Sequence, residues 1–123
     1  MSVKTYLVED SDVIRANLTE TLQELAGVQV VGHADTAQQA VQWLLAHPDD
    51  WNLGVIDLFL REGSGLSVLG ALRQRKPSQR LIVVSNYATP EMRKRCQAAG
   101  ADEVFDKSTE IEALLSYCVA LDA

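Results

Sequence analysis

The fold is indicated first by residues 81–85, which read Leu81-Ile82-Val83-Val84-Ser85. An unbroken apolar run of this kind is typical of a central parallel strand that is covered on both faces. Thr89-Pro90 follows shortly afterwards and is a favourable helix start, because proline is tolerated in the first helical turn. A buried strand that leads directly into a helix is the repeating unit of α/β domains.

The same alternation extends over the whole chain. The predicted strands cover residues 3–8, 28–34, 51–57, 81–84 and 103–105, and helical periodicity follows each of them. The first helix carries an apolar stripe and ends at Gly27; the stripe comprises Val13, Ile14, Leu18, Leu22 and Leu25. Capping-box spacing starts the second helix at Thr36 with Gln39 and the last helix at Thr109 with Glu112. Residues 1–123 therefore predict a single doubly wound (βα)₅ domain of the α/β class, with a parallel sheet between helices.

Composition limits the possible functions. The chain has 123 residues and a formal net charge of −6, with 17 acidic against 11 basic residues. Such a charge repels nucleic acid and anionic membranes, so we expect neither as a direct partner. Cys96 and Cys118 lack metal-site or redox spacing, and no apolar run approaches membrane-spanning length. We therefore expect a soluble cytoplasmic protein with reduced thiols.

Polar residues mark the carboxyl ends of four predicted strands. These residues are Glu9 and Asp10, Asp57, Ser85 and Lys107. Ligands of doubly wound sheets bind at this edge. Three carboxylates repel one another unless a divalent cation neutralises them, and Mg²⁺ suits such oxygen ligands. An aspartate beside a cation and an ammonium group can act as a nucleophile toward phosphorus, which makes Asp57 a candidate phosphoacceptor.

At this point four motifs in register resemble the receiver domains of bacterial two-component response regulators. The motifs are Val8-Glu9-Asp10, Ile56-Asp57-Leu58, residues 84–88 and residues 100–107. The resemblance implies a flavodoxin-like sheet with strand order 2-1-3-4-5. It also implies a phosphorylation-dependent signalling switch that uses Mg²⁺, with Mn²⁺ as a substitute, and that accepts a phosphoryl group from a sensor histidine kinase or a histidine phosphotransfer protein.

The resemblance also assigns a role to each site residue. Asp57 is the implied phosphoacceptor and a metal ligand; the other implied metal ligands are Asp10, the backbone carbonyl of Phe59, and Glu9 through water. Ser85 and Lys107 are implied to bind the phosphoryl group. Ser85 and Phe105 are implied to act as the switch, with the aromatic ring turning inward after phosphorylation. The implied output surface consists of the fourth helix, the fifth strand and the fifth helix, to which Arg93, Lys94 and Arg95 contribute a basic cluster.

Two departures from the family pattern and two bulky residues affect the expectations. Glu9 replaces the commoner aspartate, which the family tolerates. Ser108 replaces a proline that often follows the lysine, so the peptide isomer at Lys107-Ser108 stays open. Phe59 and Tyr87 are bulky residues that flank the predicted acyl phosphate. We expect them to hinder the access of water and so to slow self-dephosphorylation. The domain is thus expected to catalyse two reactions on itself, the phosphoryl transfer to Asp57 and the slow hydrolysis of the acyl phosphate.

Alternative functions remain to be separated. A Mg²⁺-dependent phosphatase of the haloacid dehalogenase type needs a second aspartate two residues after the nucleophile, where this chain has Phe59. The chain can also be the receiver fragment of a longer DNA-binding response regulator. We accordingly expect the domain to act on a downstream effector protein or on a tethered output domain. It is expected to be a monomer or a phosphorylation-dependent homodimer.

Overall fold

Five parallel strands alternate with five helices along residues 2–122, the part of the chain that this computed structural model describes. The strands are β1 (Lys4–Val8), β2 (Gln29–Ala34), β3 (Leu53–Ile56), β4 (Arg80–Ser85) and β5 (Glu103–Asp106). The helices are α1 (Asp12–Ala26), α2 (Ala37–Ala46), α3 (Gly65–Ala71), α4 (Pro90–Ala99) and α5 (Ile111–Leu121). The predicted alternation is confirmed, although β3 is shorter at both ends than the expected residues 51–57.

The sheet has the order β2-β1-β3-β4-β5, and every pairing is parallel. Val8 at the end of β1 pairs with both Ala34 of β2 and Ile56 of β3. Ser85 at the end of β4 pairs with Asp106 of β5. The carboxyl ends of all five strands therefore meet at one edge of the sheet, as the predicted doubly wound fold requires.

Alternating strand residues face two separate apolar layers. One layer includes Tyr6, Val8, Ile56, Leu81, Val83 and Val104, and residues of α2, α3 and α4 pack against it. The other includes Leu7, Leu53, Val55, Ile82, Val84 and Phe105, and it is covered by α1 and α5. Burial on both faces explains why β4 is apolar at four consecutive positions.

Helix starts largely follow the sequence signals. Ser11, Thr36, Ser64 and Thr89 each occupy the N-cap position and accept a hydrogen bond from a backbone N–H of the first turn. The expected start of α5 at Thr109 is wrong, because the N-cap residue is Glu110 and makes no side-chain capping bond. The Glu110 carboxylate is instead bonded to Arg93 and to the backbone N–H of Asp106.

The predicted apolar stripe of α1 is only partly correct. Leu22 is buried and Leu18 is half-buried, but Val13, Ile14 and Leu25 are exposed. The face that meets the sheet follows a four-residue step through Leu18, Leu22 and Ala26, so the true stripe is rotated from the predicted one. Among residues 2–122, no helix is both long enough and apolar enough to cross a membrane.

Candidate functional site

Three carboxylates converge at the carboxyl edge of the sheet. Each of Glu9, Asp10 and Asp57 places one carboxylate oxygen within 4.8 Å of the oxygens of the other two. Glu9 is buried, while Asp10 and Asp57 are half-buried. Hard oxygen donors in this arrangement fit a small divalent cation such as Mg²⁺, which accepts one or two carboxylates and completes its shell with water. The three carboxylates predicted from sequence are thus brought together.

Lys107 supplies the positive charge at this site. Its Nζ lies 2.6 Å from Glu9 Oε1 and 3.5 Å from Asp57 Oδ2. The backbone N–H of Lys107 donates to the Ser85 carbonyl at 3.1 Å, which holds the start of the β5–α5 turn against the end of β4. One ammonium therefore partly offsets a cluster of three carboxylates, and the pocket keeps an excess of negative charge.

Burial and neighbouring charges shift the pKa values of two of these carboxyls. Burial raises the pKa of Asp57 to about 6, with Lys107 opposing the shift and the Glu9 charge adding to it. Burial also acts to raise the pKa of Glu9, but hydrogen bonds from Lys107 and from the Ser11 backbone N–H prevail and lower it. Of these two carboxyls, Asp57 is therefore the one whose negative charge is less well compensated by this chain, and a bound cation would favour its ionised form.

The backbone around Asp57 is held tightly on two sides. Its N–H donates to the Val8 carbonyl at 2.9 Å, which continues the β1–β3 pairing up to the site. On the other side α3 begins at Gly65, whose N–H donates to the Leu58 carbonyl at 2.9 Å. A Cβ atom on residue 65 would lie only 2.4 Å from the Asp57 carbonyl oxygen, so this close approach requires glycine.

Ser85 is the last residue of β4, and two aromatic rings lie in the loops that follow β3 and β4. The Ser85 side chain is fully buried, and its Oγ accepts a hydrogen bond from the Tyr87 backbone N–H at 3.0 Å. The rings of Phe59 and Tyr87 are both exposed and touch edge to face, with their centroids 4.8 Å apart. The two residues predicted to flank the phosphoryl site therefore contact each other across the β3–α3 and β4–α4 loops.

Phe105 lies inward in this structure. It is buried in the layer beneath α1 and α5, and its ring centroid lies 5.7 Å from that of Tyr117. The peptide bond between Lys107 and Ser108 is trans, since the described residues contain no cis peptide. Ser108 instead donates its backbone N–H and its hydroxyl to Asp106 Oδ1, both at 2.8 Å, which shapes the turn after β5.

A group of charged residues beside the pocket was not predicted. Arg15 donates to the Glu9 backbone carbonyl at 3.1 Å and to Asp35 Oδ1 at 2.9 Å. Asp35 also accepts from Arg61 of the β3–α3 loop at 3.2 Å. Asp35 directly follows β2, so applying the strand-end argument to β2 as well would have found it. Nothing in local spacing indicates that Arg15 bridges it to Glu9.

Trp43 and Trp51 both pack within the domain. Trp51 is buried and donates its indole N–H to the Leu44 carbonyl at 3.1 Å. Trp43 stacks against both Tyr6 and His47. The Nδ1 of His47 also lies 2.9 Å from the Trp43 carbonyl oxygen.

The fold and the acidic pocket define a doubly wound α/β domain with an oxygen-rich site at its carboxyl edge. The chain belongs to the response regulator receiver domain family, whose model matches residues 5–118. It is 30% identical over 108 residues to a cyclic di-GMP phosphodiesterase of Thermotoga maritima, covering 88% of this chain and 28% of that protein. It is 31% identical over 100 residues to the DNA-binding transcriptional activator DevR/DosR of Mycobacterium tuberculosis, covering 80% of this chain and 45% of that protein. The chain thus spans less than half the length of these curated relatives.

Solved structures confirm the fold. The response regulator domain of Thermotoga maritima CheB superposes with a TM-score of 0.84 at 18% identity and covers 100% of this chain and 98% of its own. CheY in a CheX–CheY–BeF₃–Mg²⁺ complex from Borrelia burgdorferi gives a TM-score of 0.83 at 17% identity, covering 98% of this chain and 90% of its own. The flavodoxin-like receiver fold with strand order 2-1-3-4-5 is therefore shown.

Proposed function

We propose that this chain is a phosphorylation-dependent switch in which Asp57 accepts the phosphoryl group. The observation that carries the proposal is the convergence of three carboxylates within 4.8 Å of one another, with the Lys107 ammonium beside them. Family membership supports it, because receiver domains are the phosphoaccepting modules of two-component pathways. The Borrelia complex, in which CheY of the same fold was solved together with beryllofluoride and magnesium, is consistent with such a site.

Asp10 and Asp57 are the proposed direct ligands of Mg²⁺, with Glu9 acting through water and Phe59 contributing its backbone carbonyl. Mn²⁺ has the same preference for oxygen ligands and is expected to substitute. When bound, the cation supplies positive charge that neutralises phosphoryl oxygens during transfer. Glu9 already bonds to Lys107 and to the Ser11 N–H, so its carboxylate is oriented before any cation arrives.

The transfer itself uses the Asp57 carboxylate as nucleophile. An Asp57 oxygen forms a bond to phosphorus while the phosphorus–nitrogen bond of a phosphohistidine donor breaks, and the departing imidazole nitrogen takes a proton from solvent. The product is an acyl phosphate on Asp57. Lys107 is placed to neutralise the added charge because its Nζ already lies 3.5 Å from Asp57 Oδ2.

Ser85 is the proposed hydrogen-bond donor to the new phosphoryl group. Its Oγ accepts from Tyr87 N–H, and a hydroxyl that accepts one bond keeps its own proton free to donate. Reorientation of that hydroxyl is the proposed switch. Phe105 is the second proposed switch residue, and its ring already occupies the inward position in this structure. The surface formed by α4, β5 and α5 is the proposed output face, acting on an effector protein or on a tethered output domain.

We also expect phosphorylated Asp57 to lose its phosphoryl group slowly. The rings of Phe59 and Tyr87 touch each other, and we expect the pair to hinder in-line attack of water on phosphorus. A haloacid dehalogenase type of hydrolysis is not supported, because residue 59 is this phenylalanine and offers no acidic side chain.

The proposed setting is a bacterial two-component pathway in the cytoplasm, with a sensor histidine kinase or histidine phosphotransfer protein as donor. The buried free thiols of Cys96 and Cys118 agree with a reducing compartment. DNA-binding relatives such as DevR/DosR support a transcriptional output if the chain is part of a longer protein. Their DNA-binding activity is not assigned to the residues of this domain, whose net charge is −6.

The proposal is tested by phosphorylation with a small-molecule phosphodonor and Mg²⁺, followed by mass spectrometry to locate the label. We expect one phosphoryl group on Asp57, no label in Asp57→Asn, and no label when the cation is chelated. Asp12→Asn is the matched control, because Asp12 is the first residue of α1, close in sequence to Asp10 but outside the carboxylate cluster. Labelling at another residue, or continuous turnover of the donor without a stable phosphoprotein, would contradict the proposal.

A further inference from the structure

The guanidinium of Arg93 in α4 joins three segments of the chain. Its Nε donates to the Ala88 carbonyl at 2.9 Å, and its Nη1 donates to the Val104 carbonyl at 2.9 Å. Its Nη2 forms an ion pair with the Glu110 carboxylate. Arg93 thus ties the β4–α4 loop, strand β5 and the start of α5 to a single side chain.

Glu110 extends this connection to the turn after β5. The oxygen that binds Arg93 also accepts the backbone N–H of Asp106 at 2.9 Å. The hydrogen bond from Arg93 is the largest cause that lowers the pKa of Glu110, so the carboxylate stays ionised and the pair remains charged at neutral pH. Both side chains are about one-third exposed, at 33% and 34%, so water only partly screens the pair.

The segments held by Arg93 carry the residues that the proposed function uses. Ala88 directly follows Tyr87, whose N–H binds the Ser85 hydroxyl and whose ring touches Phe59. Val104 directly precedes Phe105. Asp106, held by Glu110, directly precedes Lys107. The bonds therefore reach the backbone next to each of these residues without touching the carboxylate cluster.

We propose that Arg93 is a positioning residue that, together with Glu110, holds the β4–α4 loop closed over the phosphoryl site and couples that loop to β5 and α5. A closed loop keeps Tyr87 against Phe59 and so limits the access of water to phosphorylated Asp57. This effect on dephosphorylation rests on the proposed function. The guanidinium fork suits the role, since its five N–H donors are spread in a fixed plane and can serve three acceptors in different directions. It also means that Arg93 is engaged within the domain, so the basic contact surface expected on α4 is left to the exposed Lys94 and Arg95.

Hydrogen exchange of the unphosphorylated protein tests the closed loop directly. We expect Arg93→Gln to raise amide exchange in residues 86–89 and 106–110 by about tenfold, because the loss of charge-assisted bonds promotes local opening. Glu110→Gln should raise it less, since the amide oxygen can still accept from Asp106. Arg93→Lys should fall between wild type and Arg93→Gln. Gln97→Ala, a change at an exposed position of the same helix, should leave exchange unaltered. Unchanged exchange in Arg93→Gln, or an equal rise throughout the sheet, would overturn the inference.

The lifetime of phosphorylated Asp57 tests the coupling to the site. After removal of the phosphodonor, we expect Arg93→Gln to lose label at least about threefold faster than wild type, because the opened loop frees Tyr87 from Phe59. Gln97→Ala should match wild type. An unchanged lifetime in Arg93→Gln would overturn the coupling. Absence of label on wild-type Asp57 would refute the proposed function instead, and the exchange measurement would still decide whether Arg93 holds the loop.

Discussion

Replacing Gly65 by alanine tests how the fold positions Asp57. The new Cβ would lie 2.4 Å from the Asp57 carbonyl oxygen and 3.0 Å from both Leu58 Cα and Ile56 Cγ2. The first two of these are backbone atoms, which cannot rotate away as a flexible side chain can. We therefore expect Gly65→Ala to lower the free energy of unfolding by about 1–3 kcal/mol, the usual cost of overpacking a tight interior.

Gly70→Ala is the matched control, because it makes the same change in the same helix. A Cβ at residue 70 meets no atom within 4 Å, and its backbone is not left-handed. Alanine should therefore raise the free energy of unfolding by about 0.5–1 kcal/mol through its better helix propensity. The two substitutions are thus expected to have opposite signs.

Urea denaturation followed by tryptophan fluorescence measures both free energies of unfolding, and labelling with a phosphodonor measures the effect on the site. Because the displaced atom belongs to Asp57, Gly65→Ala should also slow labelling by about tenfold or more, whereas Gly70→Ala should leave the rate unchanged. Wild-type stability in Gly65→Ala, or a shift of the same sign in both variants, would show that this close approach does not constrain the site.

Three further outcomes are expected. Asp10→Asn should weaken Mg²⁺ binding about ten- to a hundredfold, because a charged group at the metal site is lost. A fluorescence titration with Mg²⁺ measures the affinity, and a wild-type value would argue against Asp10 as a ligand. Phe59→Ala and Tyr87→Ala should each shorten the lifetime of phosphorylated Asp57. Because the two rings touch, the effect of the double variant on this lifetime should be less than the sum of the single effects. Fully additive effects would show that the rings act separately. Burial, reinforced by the charge of Asp35, raises the pKa of Tyr6 from 10.0 to about 12. The folded state therefore favours the neutral phenol, and the free energy of unfolding should fall as the pH rises from 10 toward 12. Tyr6→Phe should lack this loss of stability. Urea unfolding midpoints at pH 7 and pH 11 measure the difference, and an equal fall in both proteins would contradict the prediction.

Most of the fold could be predicted because its signals are local. The unbroken apolar run of β4 indicates burial on both faces, and Gly27 and Gly100 terminate α1 and α4 in the left-handed conformation, as expected for glycines at helix ends. The carboxylate cluster was also predictable, since the ends of parallel strands meet at one edge and Glu9, Asp10 and Asp57 each follow a strand.

The errors and omissions arise where the decisive contact is distant in sequence. Val13 and Ile14 looked like core residues because periodicity gives the spacing of an apolar stripe but not its angle to the sheet. The predicted start of α5 at Thr109 missed the N-cap residue Glu110, whose carboxylate binds Arg93, 17 residues away. Long arginine side chains choose among many possible acceptors, so neither this contact nor the bridge from Arg15 could be found from local spacing.

A crystal structure of the protein soaked with magnesium and beryllofluoride would show whether the acidic pocket binds a cation and a phosphoryl mimic together. We expect a metal ion among the oxygens of Glu9, Asp10 and Asp57, with the beryllofluoride attached to an Asp57 carboxylate oxygen and contacted by Lys107 and Ser85. A pocket that stays empty under these conditions, or beryllofluoride bound to a different carboxylate, would refute the assignment of Asp57 as phosphoacceptor.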